Sequence, residues 1–221
     1  MRKALWLALM AVVLIGCSKD DVDYPTAHRF VELLTVLKND AQGMELEKVG
    51  LNDSESVLLT TEQHVDAQLE RGRRVIAEYS VSDADVSSRP MPVRLHQMGL
   101  ITFDTIRVVA NDKMADLADA RMTVVSVWRT GMYMNLQAKV EFDGEKRSFA
   151  VVADETTLGS PIVECYLCNV GSDVGVTVID RHAYGSFFMG DIWKMPTTER
   201  VRLHLNWASD EKSYVDMVKN P

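Results

Sequence analysis

Apolar and polar residues alternate strictly along one stretch of the chain, from Met134 to Phe142. A period of two places every second side chain on the same face of an extended strand, so this stretch predicts a β-strand with one buried face. Asp143-Gly144 follows, and this dipeptide tolerates the positive φ angles of a two-residue turn. Phe149 to Val152 can then supply a return strand. The pattern predicts a β-hairpin in which these two strands pair.

Similar alternation occurs in both halves of the chain. Val75 to Val81 places Val75, Ala77, Tyr79 and Val81 on one face, and Val201 to Trp207 repeats this arrangement. Val174 to Ile179 is rich in residues that favour strands. Further strand candidates cover Arg29 to Leu37, Leu46 to Leu59 and Val93 to Val109, of which the last two are long enough to be bent or interrupted.

Helical periodicity is confined to two short segments, His64 to Arg71 and Asp112 to Ala120, each long enough for one or two turns. The second contains few β-formers and is predicted to separate two all-β halves. We therefore expect a signal segment over 1–16, a tether over 17–27, one β-domain over 28–112 and a second over 113–221.

The N-terminus has the layout of a bacterial export signal. Arg2 and Lys3 precede twelve consecutive apolar residues, Ala4 to Ile15. A helix of that length reaches about 18 Å, which is shorter than a hydrocarbon core of about 30 Å, so the segment predicts a cleaved signal and not a membrane span. The sequence from Leu14 to Cys17 resembles the lipobox of bacterial lipoproteins. This resemblance implies that the thiol of Cys17 carries lipid and that Cys17 becomes the first residue of the mature chain.

A lipid-modified Cys17 would attach the protein to a membrane without spanning it, because two or more acyl chains hold a protein stably on a bilayer. Residues 18–25 are polar and are predicted to form a spacer, since they bury too little apolar area to fold. Their acidic residues look like the export tag that sends lipoproteins of some Gram-negative anaerobes to the outer face of the outer membrane. We expect an outer-membrane lipoprotein that faces either the cell surface or the periplasm.

Composition and charge exclude several classes of protein. The chain has 221 residues, of which 47% are hydrophobic and 25% charged, which is typical of a globular protein. Its formal net charge is −8. An acidic surface repels phosphate backbones, so nucleic acid is not an expected partner. The glycines are dispersed and form no phosphate-binding loop, and no cofactor is expected. No Gly-x-Ser-x-Gly motif occurs, which argues against a serine nucleophile.

Three short motifs resemble the NigD-like lipoproteins. Gly72 to Tyr79 is similar to the G-x-R-V-x-x-x-Y strand of that family, and Tyr133 to Leu136 is similar to its Y-L-N-L strand. Arg181 to Ser186 is similar to its R-H-x-x-G-D turn, except that Ser186 stands where Asp is usual. The resemblance implies an N-terminal OB-type barrel followed by a C-terminal β-sandwich. It also implies an association with a bacteriocin operon, but no defined biochemical activity.

OB-type barrels often bind oligonucleotides or oligosaccharides on a strand face. Binding of single-stranded nucleic acid needs basic and aromatic residues together, and the cluster of Arg71, Arg73 and Arg74 has only Tyr79 beside it in the sequence. A sugar would be held by stacked aromatic rings. The candidates are Trp128, Tyr133, Trp193 and Trp207, although the strand patterns around Trp128 and Trp207 favour places in the core.

Cys165 and Cys168 form a Cys-x-x-Cys pair that is compatible with buried thiols or with a disulfide. Residues i and i+3 of a flat strand face opposite sides, so a disulfide here would need a turn or a bulge. A redox pair would need a helix N-terminus, and structural zinc would need two more ligands. The surrounding sequence has neither feature, so no metal is expected.

Asp180, His182 and Asp191 are the only clustered candidates for catalysis, since Gly185 and Gly190 would allow a compact loop around them. A carboxylate beside a histidine can move protons or bind a metal, which would make the protein a hydrolase or a metal-dependent enzyme. A turn in which these side chains bond the local backbone is the simpler interpretation. The favoured hypothesis is therefore a lipid-anchored, non-enzymatic binding or accessory module with a protein or glycan partner.

Overall fold

The structure is a computed structural model, and it describes residues 27–65, 69–114, 116–119, 122–142, 149–169, 179–207 and 213–219. The predicted signal segment, Cys17 and most of the tether lie outside these residues, as do Asp143-Gly144 and residues 174–178 of one strand candidate. The chain is all-β, as the alternation predicts. In the described residues no helix is sufficiently long and apolar to cross a membrane.

The N-terminal sheet contains six strands in the order β5-β3-β2-β1-β4-β6. It curls into a half-barrel around a core that includes Leu34, Leu46, Val75 and Tyr79, which agrees with the OB-type prediction. Its strands are β1 (Ala27–Asp40), β2 (Gly43–Lys48), β3 (Val57–Thr61), β4 (Arg74–Ser82), β5 (Met91–Pro92) and β6 (Arg94–Leu100).

The remaining strands of the described chain form a sandwich of two sheets. The middle sheet has the order β10-β11-β14-β7, and the outer sheet has the order β16-β15-β13-β12-β8, with β9 paired to β13. The strands are β7 (Thr102–Thr105), β8 (Arg107–Val109), β9 (Ala118–Asp119), β10 (Thr123–Thr130), β11 (Tyr133–Phe142), β12 (Phe149–Asp154), β13 (Ile162–Asn169), β14 (Ile179–Phe188), β15 (Arg200–Leu205) and β16 (Ser213–Val218).

Helices are short, as expected. In the described residues they comprise α1 (Asn111–Met114), α2 (Gly190–Lys194) and a single 3₁₀ turn at Glu155–Thr157. Thus α1 confirms one helical turn within the predicted connector. The described residues of the other predicted helical segment, 64–65 and 69–71, form no helix, and α2 was not predicted. The chain changes sheets before that connector, because β7 and β8 already pair with β14 and β12 of the sandwich. The predicted division into domains 28–112 and 113–221 stays a prediction.

The predicted hairpin is wrong in its pairing but right in its strands. β11 pairs with β10 and β14, whereas β12 pairs with β13 and β8 in the opposite sheet. Leu136 of β11 and Val151 of β12 belong to the same core, which lies between the two sheets. Alternation reports which face of a strand is buried, and it contains no information on which strand lies beside it.

The segment that was predicted as a turn or loop between Asp180 and Asp191 is also different. Most of it belongs to β14, which pairs with β11 along its whole length. Gly185 occupies a position in this strand that has no room for a side chain. A Cβ atom there would come within 2.9 Å of the rings of both Phe149 and Phe187. The glycine therefore permits close packing inside the sandwich and does not mark a loop.

Candidate functional site

The three motif stretches meet at one place, which we call the seam: the contact between the outward faces of β1 and β4 and the outward face of the middle sheet. Arg74 of β4 lies at its centre and is completely buried. Its Nε donates to Ser186 Oγ at 3.1 Å, and its Nη2 donates to Asn135 Oδ1 at 3.3 Å. Its Nη1 donates within its own sheet to Thr35 Oγ1 at 3.0 Å.

The polar groups around Arg74 also bond one another. Ser186 Oγ donates to Asn135 Oδ1 at 2.8 Å, and Asn135 Nδ2 donates to Thr130 Oγ1 at 2.9 Å. The ring of Tyr133 lies 4.7 Å from the Arg74 guanidinium and adds a cation–π contact. Buried polar groups need such partners, since an unsatisfied one costs about 1–3 kcal/mol. The network therefore ties the half-barrel to the sandwich.

Arg74 is a buried cation whose hydrogen-bond partners in the seam are all neutral. Burial lowers the pKa of its guanidinium to about 10. Charge interactions with Tyr133 and Glu47 raise this pKa, but by less than burial lowers it. An arginine with that pKa is still charged at neutral pH. The seam thus contains a positive charge that no directly bonded carboxylate balances.

A second joint links the two sheets at the edge of the seam. The buried Arg129 of β10 forms a two-pronged ion pair with Asp53, whose oxygens lie 2.8 and 2.7 Å from Nη1 and Nη2. This hydrogen bonding holds the pKa of the Asp53 carboxyl below its usual range. Backbone bonds reinforce the joint, because the N–H of Gly131 donates to the carbonyl of Asn52 at 2.8 Å. Gly131 has φ +51°, a conformation that suits glycine.

Two clefts open on the flanks of the seam. The first, the Trp128 groove, has a volume of about 590 Å³, which is within the range of small-ligand sites. Polar groups converge there, since Gln137 Nε2 donates to the Tyr184 hydroxyl at 3.3 Å. Its lining includes Val31, Leu51, Ile76, Trp128, Gln137 and Tyr184. Val31 and Leu51 are 61% and 58% exposed, so this groove presents apolar surface to solvent.

The second, the arginine cleft, has a volume of about 580 Å³. Aromatic rings from β7, β11 and β14 line it together with basic residues that precede β4. The principal residues are Arg71, Arg73, Leu100, Phe103, Tyr133 and Phe188. The sequence showed no aromatic residue beside the arginines except Tyr79, and the fold supplies three from distant strands.

The residues that were considered for catalysis are not brought together. His182 lies near the start of β14, whereas Asp191 lies in α2, beyond the end of that strand. A strand rises about 3.3 Å per residue, so the stretch from His182 to Phe188 alone spans about 20 Å. Both side chains are exposed, and that of Asp180 lies outside the described part of the structure. Among the described residues, no three His, Cys, Asp or Glu side chains are grouped as metal ligands.

Cys165 and Cys168 are not joined by a disulfide. Cys165 belongs to the sandwich core and is 0% exposed, while Cys168, three residues later on β13, is 3% exposed. The strand is regular through this pair, and its positions i and i+3 face opposite sides. The disulfide that the sequence left open is therefore not formed.

The aromatic candidates occupy different environments. Trp193 is buried in the sandwich core, where the Arg129 guanidinium lies 4.7 Å from its ring. Trp128 lines the groove and Tyr133 lines the arginine cleft. Trp207 is partly exposed, and its Nε1 donates to the Leu167 carbonyl at 3.0 Å. Trp128 is consequently at an open surface, in contrast to the core position that its strand pattern favours.

Sequence reasoning missed Phe103, Phe188 and Asp53. Phe103 and Phe188 lie 85 positions apart and become neighbours only because β7 pairs in parallel with β14. Asp53 lies in the connection between β2 and β3, and no local pattern distinguishes it from other exposed acidic residues. The three motifs were the signals that pointed to the seam, since they contain Arg74, Asn135 and Ser186.

The complete fold is similar to that of several solved structures. A protein of unknown function from Bacteroides vulgatus has a TM-score of 0.66 and 18% identity, with 86% of this chain and 90% of that chain covered. A NigD-like immunity protein from Bacteroides caccae has a TM-score of 0.62 and 15% identity, with 85% and 91% covered. A predicted lipoprotein from Bacteroides fragilis has a TM-score of 0.60 and 11% identity, with 87% and 99% covered.

No protein-family model and no curated protein matches the sequence. At these identities the likeness to the solved structures shows the fold. It confirms the structural resemblance to NigD-like lipoproteins that the three motifs predicted.

Proposed function

We propose that this protein is a lipid-anchored cell-envelope protein that acts as a non-enzymatic binding or accessory module for a protein or glycan partner. Lipid on Cys17 would attach the folded domains to the outer membrane through the polar tether. The fold shared with a predicted lipoprotein and with a NigD-like immunity protein supports an envelope role, with a connection to bacteriocin production or immunity.

The observation that carries this proposal is the use of the motif residues in the seam. Arg74, Asn135 and Ser186 are all completely buried and bonded to one another. A catalytic group must contact substrate, and these three side chains have no exposed surface with which to do so. Their arrangement serves to hold two β-structures in a fixed relation. Two sheets that are held in a fixed relation, with open clefts between them, suit the binding of a partner better than the turnover of a substrate.

The Trp128 groove is the surface that we assign to the partner. It combines exposed apolar side chains with an indole ring and with the polar Gln137 and Tyr184, a mixture that is typical of recognition sites. An extended peptide would use the apolar floor, and a sugar would stack on Trp128 and bond the amide and hydroxyl groups. Both occupants fit the proposed module.

Site-specific photo-cross-linking in intact producing cells tests this assignment. A photoreactive amino acid at position 51, on the exposed rim of the groove, should capture one defined species. The matched control is position 125, because Val125 is 48% exposed but lies outside the groove lining. Trp128→Ala should abolish capture from position 51. Mass spectrometry of the adduct then identifies the captured species as a protein or a glycan.

Two results would contradict the proposal. One is equal capture from positions 51 and 125, which would indicate random collision. The other is unchanged capture from position 51 in a folded Trp128→Ala variant, since the partner would then not use the groove.

A further inference from the structure

The arginine cleft has aromatic walls that are held in place by neighbouring strands. The ring centres of Tyr133 and Phe188 are 5.4 Å apart, and those of Phe103 and Tyr133 are 6.3 Å apart. Leu100, which is 65% exposed, adds an aliphatic edge. Exposed apolar surface of this kind gains free energy when an apolar group covers it.

The same cleft is a positively charged region on an acidic protein. Arg71 is exposed at its rim, and Arg73 lies with its guanidinium 5.8 Å from the Phe103 ring centre. Arg73 Nη2 donates to the Ile101 carbonyl at 3.0 Å, which orients the guanidinium without neutralising it. Within the described residues, no carboxylate is paired with Arg71 or Arg73.

Arg74 adds to this positive potential from below the surface. It lies behind the Tyr133 ring, and its hydrogen-bond partners are neutral. Charges act more strongly through the protein interior than through water, so a buried cation influences the adjacent cleft. Glu70 is the one acidic residue among the described residues of the lining, which leaves the cleft suited to one negative charge and not to a polyanion.

We propose that the arginine cleft binds a single carboxylate that is attached to an apolar side group. The carboxylate would lie between Arg71 and Arg73, because guanidinium groups match the planar geometry of carboxylates. The apolar group would pack on Phe103, Tyr133 and Phe188. This chemistry belongs to the C-terminal residue of a peptide and to a free acylated amino acid. The inference deepens the proposed binding function but uses a different cleft from the Trp128 groove.

Titration followed by NMR or calorimetry tests the cleft on the purified, folded protein without its lipid. The probes are N-acetyl-Gly-Gly-Phe with a free carboxylate, the same peptide as its C-terminal amide, and N-acetylphenylalanine. We expect the free acid to bind about tenfold more tightly than the amide, the size of effect that a charge-assisted hydrogen bond supplies. Equal affinity for acid and amide, or no binding of the acid, would overturn the proposal.

Variants separate the cleft from general electrostatic attraction. Arg71→Gln together with Arg73→Gln should weaken binding of the free acid about tenfold or more. Arg94→Gln is the control, because Arg94 is also exposed but lies on β6 outside the cleft lining. Phe188→Leu should weaken the acid and the amide by the same factor, since it removes only the aromatic contact. An equal effect of Arg94→Gln would overturn the assignment.

The probes also identify the source of the ligand. Tighter binding of the tripeptide than of N-acetylphenylalanine would indicate a peptide chain end, and equal binding would indicate a small carboxylic acid; both results support the cleft. Cross-linking at position 51 reports on the other groove. Failure of this inference is therefore distinguishable from failure of the proposed function.

Discussion

Arg74 and Ser186 are 112 positions apart in the chain, yet the guanidinium Nε of Arg74 donates to the hydroxyl of Ser186 at 3.1 Å in the buried seam. Ser186 stands where the related motif usually has Asp, and this chain therefore bonds a buried cation to a neutral oxygen. The motifs that contain Arg74 and Ser186 are far apart in the chain, but they form the two sides of one joint.

Ser186→Asp should stabilise the protein. Arg74 is already desolvated, and charge-assisted hydrogen bonds are roughly twice as strong as neutral ones. This gain should exceed the loss of the hydrogen bond that Ser186 Oγ donates to Asn135 Oδ1, so the free energy of unfolding should rise by about 1 kcal/mol. Denaturant unfolding measures the change. Ser186→Asn is the control for side-chain size, and an Asn variant as stable as the Asp variant would contradict the electrostatic explanation.

Arg74→Met should destabilise the protein by about 2–4 kcal/mol, because the oxygens of Thr35, Asn135 and Ser186 would lose their shared donor inside the seam. Arg73→Met is the neighbouring control and should have a much smaller effect, since Arg73 is partly exposed. Comparable losses in both variants, measured by chemical denaturation, would show that the seam network contributes little.

Asp53→Asn should reduce stability at neutral pH and have little effect in acid. The Arg129 guanidinium lowers the pKa of the folded Asp53 carboxyl below its ordinary value of 3.8. A lowered folded pKa stabilises the folded state above pH 3.8, and this contribution disappears as the pH falls through the folded pKa. Thermal unfolding of both proteins across the acid range should show their midpoints converging. A difference that is constant with pH would contradict the ion pair.

The two sandwich cysteines should be unreactive in the folded protein. Cys165 and Cys168 are 0% and 3% exposed, and burial raises the pKa of the Cys165 thiol, which suppresses the reactive thiolate. In a Cys17→Ala background, Ellman's reagent should detect no thiol before unfolding and two after it. Detection of none after unfolding without reductant would instead indicate a disulfide.

Cys17→Ala should release the protein from membranes without unfolding it, because the predicted lipid is the only attachment that we infer. Fractionation of cells that express the full chain measures the release, and circular dichroism checks the fold. Ser18→Ala is the matched control and should remain with the membrane. Sedimentation of the Cys17→Ala variant with washed membranes would require another attachment.

The strand faces were predictable because they depend on local alternation. Val75, Ala77, Tyr79 and Val81 are all 0–1% exposed, as their period of two predicted, and Val201 and Leu203 behave in the same way. The partner of each strand was not predictable. Phe149 to Val152 forms a strand as expected but lies in the sheet opposite β11. The hydrophobic pattern could not predict this, because a strand buries the same face whether it pairs with β11 or with β13.

The candidate sites show the same limit. Trp128 was a sugar-binding candidate with a core-like pattern, and only the placement of the half-barrel against the middle sheet leaves its ring beside an open groove. Arg71 and Arg73 had only Tyr79 as an aromatic neighbour in the sequence, and the pairing of β14 with β7 and β11 brings three further rings beside them. His182 and Asp191 are close in sequence but separated in space, because an extended strand carries the chain away from its start.

The amino-acid sequence by itself determined the strand-rich class, the buried faces and the three motif stretches, because period-two patterning acts between residues that are near in the chain. The tertiary structure decided that these stretches form a buried joint and that open clefts flank it. Contacts such as that between Arg74 and Ser186 depend on how whole sheets pack, and their energies are set by burial, which no local pattern reports.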